Sequence, residues 1–167
     1  MKKIFMLGLA MGLGVVRAEA QVRVVKSADQ KVTLSLAGLR TGTGPAARSF
    51  RETLEADLTR SGWFVLMPGG QAEFTIQGSC EDAGDGVRAV VRAYAAGDPR
   101  ERLGKTYRST DIRRLAHRAA DDLIEALTGR KGMASSRLVV VGTPSGHKEL
   151  YVADADGENA QVALASP

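Results

Sequence analysis

Ser145, His147 and Asp154 are the residue types of a hydrolytic triad, and they crowd into one carboxyl-terminal stretch. A nucleophilic serine needs a strained elbow to present its hydroxyl, but Ser145 lies in no G-x-S-x-G context. All three sit in turn-like segments of neighbouring hairpins, and turn chemistry accounts for them. Asp154-Ala-Asp156-Gly157 opens like a calcium-binding loop, yet the order D-x-[DN]-x-[DN]-G is not met. Asp82 and Asp85 stand among glycines, as turn residues do, and need no cation. Gly42-Thr43-Gly44 has the start of a phosphate-cradling loop without the G-K-[ST] that would complete it. Cys80 has no second cysteine to pair with, and a lone thiol in a strand is read as a small buried apolar group. Asp57 falls within an apolar helical arc, where bonding to backbone amides of an adjoining turn explains it. His117, at the edge of another apolar stripe, is read as a core-edge histidine bonding a backbone group. No catalytic, cofactor-binding or metal-ligating residue is assigned.

The elements that would position these residues can be read from periodicity. Ile112, Leu115, Ala116, Ala119, Ala120, Leu123, Ile124 and Leu127 recur at helical spacing and share one face. Thr110 is the expected cap, Asp111 complements the positive end, and Gly129 supplies the left-handed stop. An earlier helix is expected over 46–61, with Ala47, Phe50, Leu54 and Leu58 on one face and Gly62 as terminator. Lys31–Ala37 alternates as a half-buried strand, followed by a turn from Gly38 to Pro45. Trp63–Met67 is a continuous apolar run suited to an inner strand buried on both faces. Phe74–Gly78 and Val87–Tyr94 form a hairpin through Asp82–Gly86, and a short strand follows over Leu103–Tyr107.

Past Gly132 the helical period gives way to strands at Arg137–Gly142, Lys148–Val152 and Gln161–Leu164. The predicted class is α+β: two helices packed on one face of a mixed β-sheet, then a small β-hairpin or meander that is marginal alone.

Composition narrows the function classes. The chain has 167 residues, 44% hydrophobic and 25% charged, which suits a globular protein of one compact domain and a little more. Residues 1–20 read as a cleavable secretory signal: Lys2 and Lys3, an apolar run over Ile4–Val16 too short to span a bilayer, and Ala18-Glu19-Ala20 as the cut. Its removal takes Lys2, Lys3 and Arg17 against Glu19, so the formal charge falls from +4 to +2. With only eight aromatics and dispersed cations, a nucleic-acid footprint is not present. Gln21–Lys26 reads as a short edge strand or arm. The mature protein is expected to be soluble outside the cytoplasm, without membrane insertion.

Several segments together resemble a known family. Asp57-Leu-Thr-Arg-Ser-Gly-Trp-Phe64 is similar to the D-L-x-x-S-G-x-F motif of the TolB family, the soluble periplasmic component of the Tol-Pal envelope system. Ala116–Gly132 is similar to its A-H-x-x-x-D-x-[IVL]-x-x-x-L-T-G-x-K-G segment, and Arg137–Val141 with Leu150–Asn159 resembles the opening of its propeller. Gln21, Val22, Arg23, Val24 and Val25 match the family's amino-terminal arm.

The resemblance implies an α+β domain over 21–132 and the first strands of a truncated six-bladed β-propeller over 133–167. It implies a non-enzymatic scaffold without cofactor or metal, binding a TolA-type inner-membrane protein through the amino-terminal region, with Gln21–Val25 as the partner-binding residues, and a Pal-type lipoprotein mainly through the propeller. Such a system maintains outer-membrane integrity and constriction during division. The chain departs from the pattern at Met133–Ser136, where an aromatic is usual, at Val140, where a tyrosine is common, and in a short loop between Met67 and Phe74. The other reading of the residues is a stand-alone periplasmic binding domain for an unknown ligand.

Overall fold

The computed structural model describes residues 31–164 except positions 70 and 145. The signal segment, the Gln21–Val25 arm and Ser145 therefore lie outside the described residues. The elements run β1 (Val32–Thr41), α1 (Pro45–Arg60), β2 (Phe64–Met67), β3 (Phe74–Ala83), β4 (Gly86–Ala95), β5 (Glu101–Ser109), α2 (Ile112–Thr128), β6 (Arg137–Gly142), β7 (Glu149–Asp154) and β8 (Gln161–Leu164). Five strands form a mixed sheet in the order β2-β1-β3-β4-β5, with β1 parallel to both neighbours and the remaining pairs antiparallel. The last three strands form an antiparallel sheet of their own, β6-β7-β8. The α+β class with two helices on a mixed sheet is what the periodicity predicts.

Helix α1 packs on β1 to β4 and α2 on β4 and β5, while the helices also pack on each other. The core lies between helices and sheet. Phe50, Leu54 and Leu58 of α1 and Leu123 and Ile124 of α2 close over Leu34, Leu39, Ile76, Val87 and Val91. Each such side chain contributes roughly 1.5–3 kcal/mol by leaving water, so this layer dominates the stability of the larger unit. Cys80 is wholly buried within β3, where burial, with a smaller push from Asp82, raises its thiol to about 11. An inert packing role fits that environment.

Four local readings are corrected. Strand β1 does not end at Gly38: the register slips between Ser35 and Gly38 and pairing with β3 continues to Thr41. That bulge lets Leu36 and Leu39 both reach the core. Residues 63–67 are not an inner strand. Strand β2 is the outer strand, paired only with Val32–Ser35, and Trp63 and Val65 remain 39% and 43% exposed. The β3–β4 turn is tighter than Asp82–Gly86, because Asp82 pairs with Val87 and Ala83 with Gly86. Asp82 is thus freed from turn duty, and its Oδ1 accepts the Ala46 backbone N–H at 3.0 Å. It caps α1 from another strand, because the N-cap residue, Gly44, has no side chain to do so. Finally, Asp111 rather than Thr110 caps α2, accepting the Arg114 N–H at 3.0 Å. Gly129 stops that helix at φ 71°, as expected.

The β6–β8 sheet is poorly covered. Val139 and Val141 are 66% and 63% exposed, and Val162 and Leu164 are exposed as well. Among the described residues no helix is long and apolar enough to cross a membrane.

Candidate functional site

The sequence separates Asp57, His117 and Asp156 widely, and the fold brings them together. Asp57 sits in the last turn of α1, on the face that carries Leu54 and Leu58 into the core. His117 sits in the second turn of α2, among Leu115, Ala116 and Ala120 on the buried stripe. Because α1 and α2 pack side by side, these two polar groups in apolar arcs must satisfy each other. His117 Nδ1 lies 2.6 Å from Asp57 Oδ2, with the histidine side chain 4% exposed and the aspartate 3%. The expected backbone partners of Asp57 and His117 are replaced by this side-chain pair. No sequence spacing reveals a partner 60 residues away.

Asp156 arrives from the second sheet. Strand β7 ends at Asp154, whose carboxylate accepts Asn159 Nδ2 at 2.6 Å. Gly157 at φ 87° and Asn159 at φ 55° provide the left-handed residues that turn the chain. The turn drives the Asp156 side chain against the helices, where Arg113 of α2 donates to its Oδ2. Arg60 Nη1 bridges the group, 3.1 Å from Asp57 Oδ1 and 3.9 Å from Asp156 Oδ2. His117 Nε2 also faces Asp156 Oδ2 at 3.9 Å. Two carboxylates and two guanidiniums therefore surround one buried imidazole.

The two carboxylates are pushed in opposite directions. Burial raises Asp57 above its ordinary value, against lowering by His117 and Arg60. For Asp156 burial also raises, but the Glu158 backbone N–H, Arg113, His117 and Arg60 together outweigh it and hold the group below the usual range. The signs follow for stability. Asp156 contributes stability that is present above its unfolded value of 3.8 and is lost as pH falls through the folded value. Asp57 works the other way: its contribution is fully present below 3.8 and is lost as pH rises through its folded value. Thermal melts from about pH 5 down to about pH 2 should show Asp156→Asn flattening the acid-side loss of stability. An unchanged acid limb in that variant would contradict the geometry.

A cation is a poor occupant here. The three residues bring ligand atoms within 4.8 Å of one another. But two guanidinium charges already balance the two carboxylates, and the 2.6 Å Asp57–His117 contact leaves no space between them for an ion. Acid–base catalysis fits no better, because the imidazole is buried and its free nitrogen faces Asp156 rather than an open surface. The cluster is suited to holding the β7–β8 turn onto the helix pair.

A second lock lies beside it. Asp121 Oδ1 accepts the Ala134 N–H at 2.8 Å and Oδ2 the Ser135 N–H at 2.9 Å. Gly132 passes so close that a Cβ there would stand 2.2 Å from Asp121 Oδ1. The T-G-R-K-G exit is therefore bent back over α2 and fixes where β6 begins. His147 is exposed, and the Asp154 carboxylate is engaged with Asn159.

Fold and junction together define an α+β unit on two helices, to which an antiparallel sheet is fastened through an acidic turn. No family model matches the chain. Three relatives that share the name Tol-Pal system protein TolB do match. The chain is 34% identical to that of Albidiferax ferrireducens over all of its own length and 44% of the relative's. It is 30% identical to that of Dechloromonas aromatica over 99% of this chain and 43% of the relative. The Geobacter sulfurreducens protein is 31% identical over 69% of this chain and 32% of its own. A crystal structure of TolB from Acinetobacter baumannii superposes with a TM-score of 0.69 at 22% identity, covering 85% of this chain and 40% of that one, which supports the fold. The chain belongs to the TolB family. It spans less than half the length of these relatives.

Proposed function

We propose that this chain is a non-enzymatic periplasmic scaffold of the Tol-Pal envelope system, acting through protein–protein binding. The observation that carries the reading is the kinship along the whole chain with proteins named for that system. The junction supports it: Asp57, His117, Asp121, Gly132 and Asp156, the residues of the family-like motifs, are the ones that fasten the turn and the exit loop to the helices.

In this reading, residues 1–20 direct export and are removed, and residues 21–132 and 133–167 are the first domain and the opening strands of a propeller. Residues Gln21, Val22, Arg23, Val24 and Val25 form the arm that binds a TolA-type inner-membrane protein. A Pal-type lipoprotein is the partner of the propeller side. The contribution to the cell is outer-membrane integrity and constriction at division.

The test is direct. Deleting Gln21–Lys26 from the mature chain should abolish binding to the cognate TolA-type domain in calorimetry while leaving the melting temperature unchanged. Retained affinity would remove the assignment of the arm.

A further inference from the structure

Both helices cover the same side of the five-stranded sheet, and its other side carries an arginine cluster that the folded core does not use. Strand alternation and register place Arg40 of β1, Arg88 and Arg92 of β4, and Arg108 of β5 on this open side, all of them exposed. Arg92 Nε is 3.5 Å from Glu101 Oε1, which also accepts the Tyr94 hydroxyl at 2.8 Å. Arg40, Arg88 and Arg108 have no hydrogen bond or ion pair among the described residues. Arg88 and Arg108 are direct cross-strand partners. Like charges so placed are destabilising, and here no carboxylate stands between them.

Between Arg40 and Arg92 the surface dips into an open depression of about 510 Å³, bordered by Gln77 and Ser79 with Val90 beside them. Its floor is bare backbone at Gly78, where φ is +135° and a Cβ would stand 1.9 Å from the Val90 carbonyl oxygen.

We infer that this face binds an extended acidic segment of a partner protein. The cations are all arginines, whose planar forks match carboxylates in pairs. From β1 across β3 and β4 to β5 the row spans three strand spacings, about 14 Å, the reach of about four or five extended residues. The Gln77 amide and Ser79 hydroxyl beside the depression suit a peptide backbone. Nucleic acid would want stacking rings among the arginines, and Tyr94, two residues along β4 from Arg92, is engaged with Glu101. A bilayer would want an apolar wedge, and Val90 is the only large aliphatic beside the depression. Glu81, opposite Arg88, and Glu101 interrupt the positive field, which disfavours a continuous polyanion and accommodates separated carboxylates.

The proposal uses neither Gln21–Val25 nor the junction residues, so it stands or falls separately from the Tol-Pal reading. The probe is a fluorescein-labelled peptide of five Glu-Ser repeats, titrated with the full chain at low salt, beside its Gln-Ser counterpart. Binding of the Glu-Ser peptide alone is expected, with affinity falling about tenfold or more in the double variant R88E/R108E and falling with added salt. R88E/R108E exchanges one like-charge pair for another beside Glu81, so R88Q/R108Q serves as the stability control. Both positions are exposed, and removal of the like-charge pair should leave its melting temperature equal or higher while binding still falls. No binding, equal binding of the Gln-Ser peptide, or affinity unmoved by R88E/R108E would overturn the proposal. Tighter Arg88-dependent binding to single-stranded DNA or phosphatidylglycerol vesicles would overturn it in favour of another ligand class.

Discussion

Replacing His117 with alanine is expected to destabilise the chain by about 3 kcal/mol, because it leaves the buried Asp57 carboxylate without its buried hydrogen-bond partner. The substitution strips the 2.6 Å contact from Asp57, a carboxylate only 3% exposed whose other partner, Arg60, is half in solvent. It also opens a void under the β7–β8 turn, where Asp156 faces the imidazole at 3.9 Å. Loss should therefore appear in two places. Global unfolding in urea should shift to lower denaturant, and the amides of β6–β8 should lose hydrogen-exchange protection beyond what the global change explains. His117→Gln, which keeps a donor of similar reach, should recover part of both. A variant with alanine at this position and wild-type stability would mean that the imidazole is a bystander in the core.

Gly78→Ala should be the other severe substitution, for a steric rather than an electrostatic reason. At φ +135° an L-residue is strained by about 1–3 kcal/mol. The new Cβ would in addition stand 1.9 Å from Val90 O, in the neighbouring strand with which β3 makes its ladder. Backbone cannot yield there without parting β3 from β4, the pair that holds Ile76 and Val91 in the core. Equilibrium unfolding should show a larger loss than Gly84→Ala in the adjacent turn, where φ is also positive but nothing lies within 4 Å of the added carbon. Equal losses at the two sites would show that conformation alone, without the close approach, governs Gly78.

The contrast between these two residues shows what the sequence makes visible. Periodicity locates both helices, because a stripe such as Leu115, Ala119, Leu123 repeats on the backbone's own geometry. Gly129 is legible as a stop because its role depends on its own dihedral. Asp57, His117 and Asp156 are each polar groups with an apparent local explanation, and their meeting depends on three-dimensional contact between two helices and a turn. A carboxylate inside the Leu54–Leu58 arc and a histidine among the α2 alanines were the signals available, since buried polar groups need partners. Read as a pair they point toward each other; read singly they suggest backbone amides.

The edge position of β2 was hidden for a similar reason. An apolar run reports burial on average, whereas the outermost place follows from β1 taking β3 as its second neighbour. Asp82 follows the same rule, its sequence neighbours describing a turn while its carboxylate serves a helix start 36 residues away.

Central to the account is the fastening of the second sheet by the turn acid to the helix pair. The most direct measurement is a double-mutant cycle on stability between His117→Ala and Asp156→Asn, read by urea unfolding of the full chain. A coupling of about 1 kcal/mol or more is the predicted result, because each substitution removes part of one network. Additivity, with a coupling indistinguishable from zero, would contradict it and leave the Asp121 contacts to Ala134 and Ser135 as the fastening of the second sheet.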